Sequence, residues 1–196
     1  MATLWSSNDL DEWRGALDRY ADVVARQGST RLGGLDAWYR DELPGAIAAR
    51  DPAHVTLDEL ARLTEWKMAR GVWRPRNLAL VRGNDPELVV ETSSAALALV
   101  PHPTAPIATL AKLSGVGPAT ASAVAAAAAP DVYPFFDELV GAQIPDSGTV
   151  AFTLGYYARY AEAIRERAGE LGGGWSPVMI ERALWAHAGG KAGATG

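Results

Sequence analysis

Leu113-Ser114-Gly115-Val116-Gly117-Pro118-Ala119-Thr120-Ala121-Ser122-Ala123 sets two glycines one residue apart inside a helix-forming composition, and Asp137-Glu138 follows directly on Pro134-Phe135-Phe136. Gly115 and Gly117 have no Cβ to hinder the approach of another backbone or a nucleic-acid strand, and they permit dihedrals that other residues resist. Pro118 suits the first turn of a helix, where its missing N–H costs nothing. A tight turn leading into a helix aims free backbone N–H groups forward, a geometry that binds phosphate without reading sequence. The expected element is a pair of helices around this turn, within about residues 105–128.

Working outward, Leu113, Gly115, Val116, Gly117, Thr120 and Ala121, with Asp137 downstream, match the pattern Leu-Pro-Gly-Val-Gly-x-x-Thr-Ala, helix, Pro-x-x-Asp. In this the chain resembles the helix-hairpin-helix (HhH-GPD) DNA glycosylase superfamily, over about residues 56–142. Ser114 stands where that family usually has proline. The resemblance implies an all-α, two-lobed glycosylase-like fold: a central helical lobe over 51–130, and a second lobe from both chain ends, 1–50 with 131–188. The cleft between the lobes would hold a base flipped out of the duplex. Asp137 falls at the family's catalytic aspartate. Ala119 stands where lyase members carry their nucleophilic lysine, so the implied activity is hydrolysis of the glycosidic bond alone. The resemblance also implies a monovalent cation held by backbone carbonyls near Leu113 and Val116; no other cofactor is expected.

Composition sets outer limits. A chain of 196 residues can bury one sizeable core or two small lobes. Ala-rich helical stretches dominate and no alternating apolar run marks a sheet, so the class expected is all-α. The lack of cysteine excludes disulfides and a Cys-ligated iron–sulfur cluster. The Ala-rich run 125–129 is too short to span a bilayer and no signal-like leader is seen, so a cytoplasmic location without membrane contact is expected. A net charge of −5 weighs against general nucleic-acid affinity, which comes from neutralised phosphates. Lys67, Arg70, Arg74, Arg76 and Arg82, however, lie in one short acid-free stretch. That stretch is the expected DNA-facing surface.

Helix signals divide the rest. Ser7-Asn8 is expected to cap a helix ending near Gly28, and a helix from Gly34 to Arg50 should kink or break at Leu43-Pro44. Thr56-Leu57-Asp58-Glu59 reads as a capping box opening a helix to Arg70. Further helices are expected over 75–81, 87–99, 107–112, 119–128, 138–142, 150–171 and 177–187, with a disordered tail over 189–196.

The candidate site residues follow. Asp137 would stabilise positive charge on the sugar or activate water, or else cap a short helix; Glu138 is the second choice. Lys67, beside Trp66, is either a desolvated nucleophile replacing the lysine missing at 119 or a phosphate contact. Ser114, Gly115, Val116, Gly117 and Thr120 with Arg70, Arg74 and Arg76 form the expected DNA contacts, the arginines otherwise lying on a solvated face or pairing with carboxylates in the fold. Trp66, Trp73, Phe135 and Phe136 would stack on an extruded base, or pack in the core. His54, His102 and His187 follow no metal-ligand spacing. The expected function is a glycosylase-like, monofunctional base-excision hydrolase with DNA as partner. The alternatives are a non-enzymatic DNA-binding module and a protein-interaction domain on the same scaffold.

Overall fold

Proline and short polar side chains cut the chain into helices whose starts are written locally. The computed structural model describes residues 3–191. After a 3-10 turn at Leu4–Ser6 come α1 (Leu10–Asp18), α2 (Tyr20–Arg26), α3 (Leu32–Ala37), a π-turn (Trp38–Glu42) and α4 (Leu43–Ala48). Then follow α5 (Leu57–Arg70), α6 (Pro75–Arg82), α7 (Pro86–Leu97), α8 (Ala105–Leu110), α9 (Pro118–Ala128), α10 (Glu138–Gly141), α11 (Leu154–Leu171) and α12 (Pro177–His187). No strand occurs among the described residues, and none of the helices is long and apolar enough to cross a membrane.

The starts have identifiable causes. Thr56 Oγ1 accepts the Glu59 N–H while the Glu59 carboxylate accepts the Thr56 N–H, so both arms of the capping box form. Asp85, Thr153 and Ser176 cap α7, α11 and α12 with their side chains. Pro75, Pro86, Pro118 and Pro177 occupy first turns.

Two expectations need correcting. Asp9, not Ser7 or Asn8, caps α1, its Oδ1 accepting the Asp11 N–H. The interruption expected near Leu43-Pro44 takes the form of the π-turn: Pro44 has no N–H to give to the Arg40 carbonyl, and the helix widens just before it, with the Leu43 N–H reaching back five residues to Trp38. Gly189 and Gly190, expected in a disordered tail, close α12 instead. Their N–H groups bond the Ala186 and Trp185 carbonyls, and Gly190 packs on Gln27. Residues 192–196 of that expected tail lie outside the described residues.

α9 is the central helix. Every residue from Ala119 to Ala127 is buried, and a helix apolar on all sides can only sit inside the fold. Its small side chains let α4, α5 and α8 pack closely around it. Tyr39 ties the π-turn to α9 by donating its hydroxyl to the Ala123 carbonyl. Ser122 of α9 donates to Ala119 and accepts the Phe136 N–H, which pins the extended segment before α10 against the helix. α12 lies on α1, α10 and α11, and Trp13 meets Trp175 edge-on at 5.9 Å. The same packing brings α5, the start of α9 and the segment before α10 together around one cleft.

Candidate functional site

The turn between α8 and α9 is held by α6 and its following loop. Asn84 Oδ1 accepts the Ser114 N–H at 2.9 Å and Asn84 Nδ2 donates to the Ser114 carbonyl at 2.9 Å, a two-point clamp across the hairpin. Gly115 has φ +74°, and a Cβ there would lie 2.7 Å from the Asn77 carbonyl and 2.9 Å from Leu80 Cβ. Glycine is therefore required by close packing on α6, not by a ligand. Gly117 differs: no atom lies within 4 Å of where its Cβ would stand. The Gly117, Ala119 and Thr120 N–H groups have no acceptor among the described residues, and all three residues line one cleft. Val116 and Thr120 are themselves buried, so their side chains reach no strand; Thr120 offers only its backbone.

That cleft encloses about 340 Å³, the size range of small-ligand sites. Its walls come from segments distant in sequence, Lys191 beyond α12 among them. α5 and the following loop give Lys67, Arg70, Val72 and Arg74; the start of α9 gives Gly117, Pro118, Ala119 and Thr120. Phe135, Phe136, Asp137 and Glu138 come from the run into α10, and Phe152 precedes α11.

Asp137 performs two structural tasks at the cleft wall. Its Oδ1 accepts the Leu139 N–H at 2.8 Å, capping α10, and its Oδ2 lies 3.4 Å from Arg70 Nε. Glu138 is more exposed and pairs only loosely with Lys191, at 3.9 Å. Lys67 has no hydrogen bond or ion pair among the described residues. Burial, with a smaller effect from Arg74, lowers its ammonium pKa below the usual lysine value.

Arg70 corrects the sequence expectation. Expected on a DNA-facing surface, it is 1% exposed and ion-paired to Glu181 of α12. Its guanidinium lies 4.4 Å over the Trp185 ring and 5.2 Å over Phe135. A charge this deep needs partners within the fold, and Glu181 and Asp137 supply them. The web continues inward: Arg40 lies 3.7 Å from Glu181 and 3.8 Å from Asp36, and Asp36 Oδ1 accepts both the Tyr20 hydroxyl and the Trp66 indole N–H. Burial pushes the Glu181 carboxyl up against the opposing pull of Arg70 and Arg40.

Trp66 also moves out of the expected base pocket. It is fully buried, stacked on Tyr39 at 3.7 Å, and has no face left for a ligand. Trp73 is 45% exposed but outside the cleft lining, beside the Arg31 guanidinium at 5.9 Å. Phe135 and Phe136 border the cleft but are 3% and 1% exposed, packed on Trp66 and Tyr156, so the core alternative holds for them. Arg74 and Arg76 have no carboxylate partner among the described residues, whereas Arg82 pairs with Glu65 at 2.5 Å. Sequence reasoning misses Phe152, which is half exposed and packs 5.1 Å from Phe136. The expected helix over 150–171 absorbs it, and the signal that could have excluded it is Thr153, which caps α11 one residue later. Asn84 is missed too, since a turn asparagine 30 residues away gives no sign of clamping Ser114.

The implied cation fits these residues only in part. The Leu113 carbonyl accepts the Val116 N–H and the Ser114 carbonyl accepts from Asn84, so two of the turn's oxygens are already engaged. Set against protein-family models, curated proteins and solved structures, the chain matches none of them.

Proposed function

We propose that the protein is a DNA glycosylase-like hydrolase of the HhH-GPD type, acting on a damaged or modified base in a two-lobed fold whose cleft receives the flipped nucleotide. One observation carries this reading. Free N–H groups at the start of α9, the half-exposed ring of Phe152, and the carboxylates of Asp137 and Glu138 converge on a single nucleotide-sized cleft.

Each group then has a role. The Gly117, Ala119 and Thr120 N–H groups hold a backbone phosphate beside the extruded nucleotide. Phe152, half exposed, offers a ring face to the base, backed by the buried Phe136. Asp137, oriented by its cap bond and by Arg70, stabilises the positive charge that grows on the sugar as the bond breaks. Glu138, exposed and loosely paired with Lys191, is placed to orient or deprotonate the attacking water. With Ala119 in place of a lysine, water rather than an amine on α9 completes the displacement.

The engagement of both Asp137 oxygens favours a second reading, a DNA-binding module in which Asp137 is only structural. The two are separated by incubating the full chain with duplexes bearing alkylated, deaminated or oxidised bases and scoring abasic sites. Abasic-site formation that disappears with Asp137→Asn supports the hydrolase. Tight binding with every duplex left intact supports the module.

A further inference from the structure

Residues 71–74 join α5 to α6 and alternate in what they face: Val72 and Arg74 line the cleft, while Trp73 between them does not. The loop is held at its far end. Arg74 donates its N–H to Met68 Sδ at 3.2 Å, and Pro75 starts α6 directly after it. Tryptophan is a highly buried residue on average, and six of the seven here are buried or half-buried, yet Trp73 is 45% exposed beside an exposed Val72. Its surroundings are cationic. Arg31 lies 5.9 Å over the ring, tied to Glu65 at 2.7 Å, and Arg74 and Arg76 stand exposed without a carboxylate partner among the described residues. Glu65 is 8% exposed and also holds Arg82, so its charge is spent within this face rather than presented by it.

We propose that this loop and the start of α6 form a docking surface for single-stranded DNA, Trp73 stacking on an unpaired base while Arg74 and Arg76 meet the flanking phosphates. The inference takes from the proposed function only that nucleic acid meets this side of the protein; it needs no base excision. A chain of net charge −5 gains little from a polyanion as such, and a few unpaired cations give weak affinity for a duplex. Stacking adds affinity that charge does not, and because every base has a π-face it reads no sequence. In a paired duplex those faces are covered by neighbouring bases, so an indole on an exposed loop meets only the backbone. An unpaired strand presents them freely. Val72 and Arg74 belong to both the loop and the cleft, so a strand crossing Trp73 leads to the cleft. The substrate that fits is one whose nucleotide is already unpaired when it arrives, which removes the cost of drawing it out of a stack.

The test titrates the full chain at one low salt concentration with oligothymidylate, with a base-free oligomer of tetrahydrofuran sugars of the same length, and with a fully paired duplex. The parent should bind oligothymidylate more tightly than the base-free oligomer, which keeps the phosphates and has nothing to stack. Trp73→Ala should lose about fivefold or more on oligothymidylate and change little on the other two, and Trp73→Phe, which keeps a ring, should recover most of that loss. Arg74→Ala with Arg76→Ala should weaken all three, since phosphates are common to them. The proposal is overturned if the parent does not distinguish oligothymidylate from the base-free oligomer, if Trp73→Ala binds oligothymidylate as the parent does, or if Trp73→Ala weakens the paired duplex equally. Polyglutamate bound with the same dependence on Trp73 would overturn it too, in favour of an acidic protein segment. Because the strands are undamaged, a failure to excise any modified base would end the hydrolase reading while leaving this result standing.

Discussion

The two glycines of the turn, alike in the sequence, do different work. Gly115 is fixed by its positive φ and by the Asn77 carbonyl 2.7 Å from where an alanine methyl would stand, so Gly115→Ala should lose about 1–3 kcal/mol in urea unfolding. Gly117 has free space around it, so Gly117→Asp should fold with an unchanged melting temperature. Its carboxylate would face the free N–H groups and repel a phosphate, and DNA affinity should fall. Should Gly117→Asp bind DNA as tightly as the parent, the turn is a packing element and the nucleic-acid reading loses its main support. Asp137→Asn is the companion substitution. It keeps the size and much of the capping ability but removes one of the two carboxylates facing the buried Arg70, so it should lower stability in either reading, and for a structural aspartate activity follows the folded fraction. A catalytic one would lose roughly a hundredfold or more in excision rate per folded molecule.

Helix boundaries are legible in the sequence wherever a cap or a proline marks them, because those signals act within three or four residues. Thr56 with Glu59, Ser176 with Pro177, and Pro75 all start helices where the sequence says they should. The π-turn at Trp38–Glu42 is not legible, since nothing but tertiary packing decides whether a proline breaks a helix or widens it. The cap of α5 also makes a measurable prediction. Burial opposes the Glu59 charge, but Arg50, in a two-pronged contact at 2.7 and 2.8 Å, and the Thr56 N–H outweigh it and hold the carboxyl below its usual value. A depressed carboxylate pKa contributes stability that is complete above the unfolded value of about 4.3 and is lost as pH falls through the folded one. Denaturant unfolding of the parent and of Glu59→Gln should differ most near neutrality and converge in acid. A gap independent of pH would show that the ion pair contributes nothing.

At the scale of the molecule, charge placement is what single-sequence reading does not supply. Arg70 and Arg74 look equivalent in an acid-free stretch, yet Arg70 finds its partner 111 residues away on α12 while Arg74 stays at the cleft. No local signal carries a pairing of that separation. Removing one member of a buried pair strands the other, so Arg70→Met should cost about 3–5 kcal/mol. Arg70→Met with Glu181→Met should cost less than Arg70→Met alone, a sign of coupling that independent sites would not give. The same sorting of arginines sets how the protein should meet DNA. With Arg70 buried and Arg82 held by Glu65, the cations free to release counterions near the cleft are Lys67, Arg74 and Arg76. Neutralising about three phosphates predicts a slope of roughly −3 for the logarithm of the binding constant against that of salt concentration. Arg74→Ala with Arg76→Ala should bring the slope toward about −1. A slope near zero in the parent, or no binding at low salt, would mean that this face meets something other than nucleic acid, because no arrangement of phosphate contacts escapes that dependence.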